Sequence, residues 1–550
     1  MKTRKDLANL IFPNVDKTIE DLEKMYPPRN LPEGAKVTRF APSPTGFLHT
    51  GSLFTAFIGY KLALDSSGVF YFRLEDTDTK REIKGSDREL LEQLSLFGIN
   101  PHEGLTLDGD KGSYGPYRQS DRAFIYQIVV KEMIEKDLAY PDFTTKEELE
   151  EIRKKQELNK EIPGYYGKYA IYRDLDVDEA YEKIVSGVPY IIRFKSRGDH
   201  NKFITIHDEI RGDLSLPEND QDIVIIKDDG LPTYHFAHAC DDHFMRTTLV
   251  TRGEEWISST PIHIDLFKSL GFKTVKYAHL PVIMKLDENG NKRKLSKRKD
   301  NEAAVSYFLS DGYPTEAILT YLMSIANSNF EEYLIANKDK TYHDFTFSLK
   351  KMSLDGALFD IEKLRYFSRE YLAKLNKDEI TSLCTEYGKK YDEKLLNLIN
   401  RDVNYFKNII NIEREKSNPR KDYSCLKEIY DGITYFYSDL FDEIELEFNE
   451  KVCRSQLKLI LEDFKHLAYS EDEQAWFNSL KEVGTKYNYA TDNKLFKADP
   501  TKFNGNMADF SEILRVALTG RKQTPNLFAI INVLGIDEVI RRLDLAIKKY

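Results

Sequence analysis

VTRFAPSPTGFLHTGSLFTAFIGYKLALDSSGVFYFRLE (37–75) is the stretch on which the fold turns. Val37-Thr38-Arg39-Phe40-Ala41 reads as a β-strand and Pro42-Ser43-Pro44-Thr45-Gly46 as a turn. Ser52 to Leu64 carries apolar residues at helical spacing until Asp65-Ser66-Ser67-Gly68 stops it, and Val69–Glu75 is the next strand. Strand, helix and strand at these lengths make a βαβ unit, which predicts a parallel sheet with a right-handed crossover.

Upstream, residues 4–26 read as an amphipathic helical lead-in ending at Pro27-Pro28. Downstream, charged and aromatic-rich sequence from about residue 120 to 225 mixes helices with short strands such as Tyr190–Phe194, and reads as an insertion into the α/β domain. Ile223–Ile226 and Leu249–Arg252 resume strand character. Beyond about residue 300 the pattern is helical, with amphipathic periods over Ala303–Leu309, Thr315–Ile325, Leu395–Ile410 and Asp537–Ile547. No internal repeat or low-complexity tract interrupts this plan.

A length of 550 residues, 41% hydrophobic and 31% charged, suits a globular protein with roughly three to four cores. No apolar run approaches the roughly 20 residues of a membrane helix, and the N-terminus does not read as a signal peptide. Four scattered cysteines, Cys240, Cys384, Cys425 and Cys453, predict a reducing cytoplasm instead of a disulfide framework. A formal charge of −11 argues globally against a nucleic-acid partner. Lys292-Arg293-Lys294 and Lys297-Arg298-Lys299 are a local exception.

Two short strings suggest chemistry. His49-Thr50-Gly51-Ser52 lies where strand turns into helix, so unpaired N–H groups and the positive dipole end face the strand's carboxyl end, a natural phosphate site. Gly51 would let a ligand approach the backbone, and His49 could donate to phosphate oxygens. An isolated string of this kind is more often a surface histidine. Lys294-Leu295-Ser296-Lys297-Arg298 offers two lysines three apart, which could hold oxygens on both sides of a breaking P–O bond. Alone, it is a solvated basic loop. Together the strings suggest a split ATP site, since neither of the commoner phosphate-loop patterns occurs.

RFAPSPTGFLHTGSLFTA (39–56), FRLEDTD (72–78), GLPTYHFAHACDDHFMRTTLVTRGEEWISSTPIH (230–263), KLSKRKD (294–300) and ILRVALTGRKQTPNLF (513–528) occur in order. In these the chain resembles the bacterial-type glutamyl-tRNA synthetases of class I, over essentially everything after residue 36. The resemblance implies an α/β fold: a Rossmann-type parallel-sheet catalytic domain with an α+β insertion, followed by an all-α C-terminal anticodon-binding region. The implied division is a helical extension (1–36), two catalytic halves (37–118 and 223–300) around an acceptor-binding insertion (119–222), a helical stem-contact domain (301–375) and an anticodon-binding domain (376–550).

It further implies that Arg39, Ala41, Ser43, Glu75, Tyr234 and Arg252 line a glutamate site. Guanidinium forks at Arg39 and Arg252 suit carboxylates, while Glu75 suits the ammonium and Tyr234 a hydroxyl contact. ATP would meet His49, Gly51, Ser52, Glu255, Ile283, Lys294, Ser296 and Lys297, with His49, Lys294 and Lys297 acting on the phosphates and Mg²⁺ accompanying the nucleotide. Thr50 and Ser52 depart from the usual string, leaving Ser52 chiefly a helix-capping role. The expected partners are L-glutamate and tRNA(Glu), with tRNA(Gln) an open second substrate, for a cytoplasmic monomer with no membrane association. Tyr405, Arg420 and Lys421 are candidate tRNA contacts.

Two clusters invite a metal. His235, His238, Cys240, Asp241, Asp242 and His243 fall within nine residues. In the family this helix carries pocket and packing residues without a metal. Many relatives bind zinc through paired cysteines after an Ala-Tyr-Pro stretch; here Ala139-Tyr140-Pro141 leads into Asp142-Phe143-Thr144, and Tyr165–Ala170 has no cysteine, so no structural zinc is expected. Three rivals remain: a glutamyl-queuosine relative, which lacks the helical half; a glutaminyl-tRNA synthetase, which typically carries Pro-Glu-Pro-Asn-Gly at the turn; and a catalytically silent tRNA-binding protein, against which Arg39, His49, Glu75, Arg252 and Lys297 all speak.

Overall fold

Val37–Phe40 is buried along its whole length, as a strand covered on both faces should be. It pairs in parallel with Val69–Phe72, and Tyr71 and Phe72 of that strand pair with Glu103 and Gly104. The helix Thr50–Asp65 makes the crossover, and its run of buried Leu53, Phe54, Phe57, Ile58 and Leu62 reflects apolar neighbours on several sides. Gly59 allows it to lie close: an added Cβ would come within 3.0 Å of Thr251 Oγ1, and Thr38 Oγ1 donates to the Gly59 carbonyl at 2.7 Å. The computed structural model describes residues 1–44, 46–78, 82–296, 299–354, 356–449, 452, 454–467 and 472–550.

On the other side of Val37–Phe40 runs Leu249–Gly253, tied to it by Thr248 N–H donating to the Val37 carbonyl at 3.0 Å. Leu249–Gly253 pairs in parallel with Lys276–Leu280. Two sheets thus meet at Val37–Phe40 and Leu249–Gly253, one running outward through residues 69–72 and 103–106 and the other in the opposite direction through 276–280. The reversal opens a crevice between the carboxyl ends of Val37–Phe40 and Leu249–Gly253, where doubly wound sheets bind ligands.

The inserted region is more closely woven into this sheet than its sequence suggests. Ile223–Ile226 has the predicted strand character, but Val224–Ile226 pairs with Ile191–Phe194, which in turn pairs with Ala139–Asp142, all antiparallel. Conversely, the inserted hairpin Phe203–Asp208 and Gly212–Pro217 reaches the parallel sheet, with Asp208 opposite Tyr277. Near Ala139–Asp142 two carboxylates hold guanidinium groups. Asp142 accepts from Arg193 Nε (2.5 Å) and from the Tyr165 hydroxyl (2.9 Å), while Asp222 accepts from Tyr140 (2.8 Å) and Arg173.

The lead-in is not one helix but two, Arg4–Ile11 and Ile19–Met25. Pro13 disfavours helical geometry at the residue before it, and Thr18 restarts the helix with a capping box to Asp21. The segment is pinned to the α/β unit by Arg29 on Glu103 (2.8 Å), Glu23 with Arg246 (2.5 Å) and the Tyr26 hydroxyl on the Gly115 carbonyl (2.9 Å).

Met1–Tyr307 with Leu319–Asp360 forms one unit, and Phe308–Ile318 with Ile361–Tyr550 a second. The second is helical among its described residues, around a core including Leu398, Phe406, Ile460, Trp476, Phe510 and Leu543. The predicted period over Leu395–Ile410 is split into Glu393–Arg401 and Val403–Ile410. Asp402 makes the break, because its carboxylate caps the second helix through Asn404 N–H (2.9 Å) and Tyr405 N–H (3.0 Å).

Candidate active site

The crevice is a cleft of about 1240 Å³. Every described residue assigned to the two substrates from sequence lines it: Arg39, Ala41, Ser43, Glu75, Tyr234 and Arg252 at one end, and His49, Gly51, Ser52, Glu255, Ile283, Lys294 and Ser296 toward the other. Lys297 lies outside the described residues.

At the helix start, His49 rather than Ser52 is the capping side chain. Its Nδ1 accepts from Ser52 N–H at 3.1 Å, so a neutral ring carries its proton on Nε2, 2.7 Å from Ser52 Oγ. Gly51 also serves this arrangement: a Cβ there would meet His49 Nδ1 at 3.2 Å. Sequence reasoning gave Gly51 to the ligand alone. The His49 ring thus presents a fixed tautomer, with an N–H that a phosphate oxygen could take over from Ser52.

The basic string is joined to the same helix. Ile283–Leu286 and Lys292–Lys294 form an antiparallel hairpin. The following segment returns to the cap: Thr50 Oγ1 donates to the Glu302 carbonyl at 2.7 Å and Val305 N–H to the Leu48 carbonyl at 3.3 Å. Asp300 anchors the loop between them, accepting two bonds from Arg293 (both 2.7 Å) and one from Ser296 N–H (2.8 Å). Arg293 above all, with Ser296 N–H and Lys285, holds the Asp300 carboxyl far below the usual range. Lys294 Nζ lies 3.9 Å from Glu255.

At the amino-acid end, Arg39 and Arg73 share one buried carboxylate, Asp242, at 3.3 and 2.7 Å. Burial alone would raise Asp242; Arg39, Arg73 and His238 outweigh it and hold it ionised. Arg73 also donates to Glu75 Oε1 at 2.9 Å. Burial still leaves Glu75 above its ordinary value, against the pull of Arg73 and Arg39.

Arg252 is arranged differently. It is 5% exposed and meets only neutral acceptors: Nε donates to His279 Nε2 (3.0 Å), Nη1 to His263 Nδ1 (3.2 Å), and Nη2 to Thr260 Oγ1 (2.9 Å) and the Trp256 carbonyl (3.3 Å). No described carboxylate lies within 4.0 Å of it. A guanidinium does not lose its proton in proteins, so a positive charge stands uncompensated at the cleft wall. Around it, burial, with Arg252 adding to it, pushes His235 and His238 down to about 4, and burial above all holds His263 well below the usual histidine range, so these rings are neutral near pH 7.

The metal-like cluster on Tyr234–Phe244 disperses around its helix. His235 turns to His263 (2.9 Å), Asp241 to Arg122 (2.6 Å), Gln119 (2.8 Å) and Tyr126 (2.8 Å), Asp242 to the two arginines, and His243 to Glu23 (2.6 Å). Among the described residues no three His, Cys, Asp or Glu side chains converge as a metal site. Sequence reasoning missed Arg73, Asp208, Asp242, His263 and His279 as the buried partners behind the cleft residues. Only Arg73 left a local signal: with Glu75 it alternates through a strand end otherwise made of apolar residues.

With this geometry in place, comparison with known proteins gives a consistent set of matches. The family model described as tRNA synthetases class I (E and Q), catalytic domain, matches residues 36–366, and an anticodon binding domain matches 393–547. The chain is 46% identical to a glutamate–tRNA ligase of Clostridium perfringens (strain 13), over 98% of this chain and 99% of that protein. It is 39% identical to one from Sorangium cellulosum, over 95% and 97%. Among solved structures, a glutamate tRNA ligase from Elizabethkingia meningosepticum in complex with its amino acid superimposes with a TM-score of 0.74 at 28% identity, covering 93% of this chain and 99% of that one.

Proposed function

Since the chain belongs to the class I tRNA synthetases of the glutamyl and glutaminyl branch, we propose that it is a glutamate–tRNA ligase. L-Glutamate and ATP would give glutamyl-adenylate and pyrophosphate, and the adenylate's acyl group would pass to the terminal ribose hydroxyl of tRNA with release of AMP. The observation that carries the choice of amino acid is the uncompensated charge of Arg252. A buried cation without an anion costs several kcal/mol, and a substrate carboxylate supplies that anion. With Arg252 receiving the side-chain carboxylate, glutamine would offer a neutral amide in its place, so rejection by about 10⁴-fold is within reach of such a site.

Each step needs only placement and charge. Arg39 and Arg252 would receive carboxylates, Glu75 the ammonium, and Tyr234, whose ring centroid lies 4.5 Å from that of Trp256, would close the pocket with Ala41 and Ser43. Ile283 would meet adenine. His49 Nε2–H and the backbone at Gly51 would meet the phosphates from one side, and Lys294, Ser296 and Lys297 would do so from the other, with Glu255 3.9 Å from Lys294 Nζ. As the substrate carboxylate attacks the α-phosphorus, these donors would stabilise charge building on the phosphate oxygens and on leaving pyrophosphate. No enzyme nucleophile is required. Mg²⁺ would enter with ATP as counter-ion to its phosphates.

We further assign residues 119–222 to holding the tRNA acceptor end, 301–375 to the stem and 376–550 to the anticodon, in a cytoplasmic monomer. Of the candidate contacts, Tyr405 packs against the helical core with its hydroxyl donating to the Phe436 carbonyl at 2.9 Å, while exposed Arg420 and Lys421 hold Asp422 and Glu370 through pairs that phosphate could displace. The deciding experiment is aminoacylation of purified tRNA(Glu) and tRNA(Gln), each offered glutamate and glutamine. Charging of tRNA(Glu) with glutamate alone is expected; preference for glutamine, or no charging, overturns the reading. The tRNA(Gln) arm reads the second substrate directly.

A further inference from the structure

A guanidinium has donors only, so each ring nitrogen facing Arg252 must present a lone pair. For His279 that nitrogen is Nε2, which places its proton on Nδ1, 2.7 Å from Asp208 Oδ2. Asp208 has no freedom to turn away. Its Oδ2 also accepts from His279 N–H at 3.0 Å, and its Oδ1 from Ile210 N–H (3.0 Å) and Arg211 N–H (2.9 Å). The imidazole is therefore fixed from both ends. The opposite tautomer would set an N–H against the Arg252 Nε–H.

Asp208 comes from the inserted hairpin, and Arg252 and His279 from the parallel strands beside it. We propose that His279 and Asp208 are positioning residues for the substrate carboxylate: Asp208 fixes the imidazole tautomer, and the imidazole holds Arg252 by a neutral acceptor. A carboxylate placed directly on Arg252 would orient it equally well but would cancel the charge that binds substrate. Interposing a neutral ring separates orientation from neutralisation. The groups facing His279 are Asp208, Arg252, Arg211 and Thr260, the last at 3.4 Å from Nε2, and burial first, then the nearby guanidinium groups, keeps the ring uncharged despite Asp208.

This inference rests on the glutamate–tRNA ligase reading, and two variants of the full chain test it. His279→Gln places an amide oxygen near the position of Nε2 and keeps an acceptor for Arg252. His279→Asn places its amide near Nδ1 and reaches Asp208 alone. Glutamate and ATP KM would be measured by tRNA-supported pyrophosphate exchange, with thermal unfolding alongside. His279→Asn is expected to raise glutamate KM about tenfold or more while ATP KM and unfolding temperature hold, and His279→Gln to stay within about threefold of wild type. Equal effects of the two variants, or parallel losses in ATP KM or unfolding temperature, overturn the positioning role. A wild-type chain without glutamate-dependent exchange refutes instead the reading on which the inference rests.

Discussion

Acidifying the histidine shell around Arg252 should weaken the α/β unit well before its carboxylates titrate. His235 and His238 have ordinary values of 6.5 and are pushed down to about 4 by burial, with Arg252 adding to the effect on both and Asp242 opposing it on His238. The folded state therefore binds fewer protons than the unfolded chain between these values. Their stabilisation is fully present above about pH 6.5 and is lost as pH falls toward about 4. From about pH 7.5 to 5.5 each such histidine should cost about 1.4 kcal/mol, or about 3 kcal/mol for the two. His102, His243, His263 and His279 are lowered as well, so the total should exceed that figure. Against a typical stability of about 5–15 kcal/mol this is a large fraction without forcing global unfolding.

The chain carries its own reporter, for it has two tryptophans: Trp256 at the cleft and Trp476 in the helical unit. A Trp476→Phe background leaves Trp256 to follow urea unfolding of the α/β unit at several pH values. Adding His238→Gln should recover about 1.4 kcal/mol of the loss between pH 7.5 and 5.5, because one group that takes up a proton only on unfolding has been removed. A loss below about 1 kcal/mol in the parent, or a slope that His238→Gln leaves unchanged, would refute the claim that folding keeps these rings neutral.

Asp242→Asn should cost about 3–5 kcal/mol in the same assay, because it strips Arg39 and Arg73 of the carboxylate they share. Asp300→Ala should raise ATP KM about tenfold in pyrophosphate exchange and leave glutamate KM unaltered, since it frees Arg293 and Ser296 in the basic loop and touches nothing at the amino-acid end. In the helical unit, Arg542→Met should cost about 2–4 kcal/mol, followed by Trp476 fluorescence. The Tyr435 and Leu518 carbonyls, each 2.6 Å from Nη1, would lose their buried donor.

The βαβ unit was legible because local pattern and tertiary role agree there. An apolar helix between two apolar strands has few places to go except across a sheet, and Gly68 lets the chain turn back where a Cβ would come within 2.0 Å of the Lys36 carbonyl. Arg39 and Arg252 were legible for a related reason: each sits at the carboxyl end of a strand that ends at the crevice. What the sequence left open was partnership. Ile223–Ile226 is visibly a strand, but hydropathy does not say which edge it joins, and it joins the inserted sheet. The break at Asp402 was readable as a cap in principle, yet a continuous apolar period on both sides concealed it.

The pocket's charges carry the same lesson in a sharper form. Six potential ligands within nine residues look like one site only while direction is ignored, and a helix turns successive side chains by about 100°. Asp241 and Asp242 are neighbours in sequence, yet one secures Arg122 away from the pocket and the other holds Arg39 and Arg73 inside it. What distinguishes Arg252 is a pattern no local string contains. Its partners come from residues 256, 260, 263 and 279, none of them charged, while the nearest carboxylate in the chain of bonds is one imidazole away, at Asp208. Sequence identified residues that line the cleft; the fold determines which of their charges are already paired, and that sets Arg252, with neutral partners alone, apart from Arg39, which shares Asp242 with Arg73.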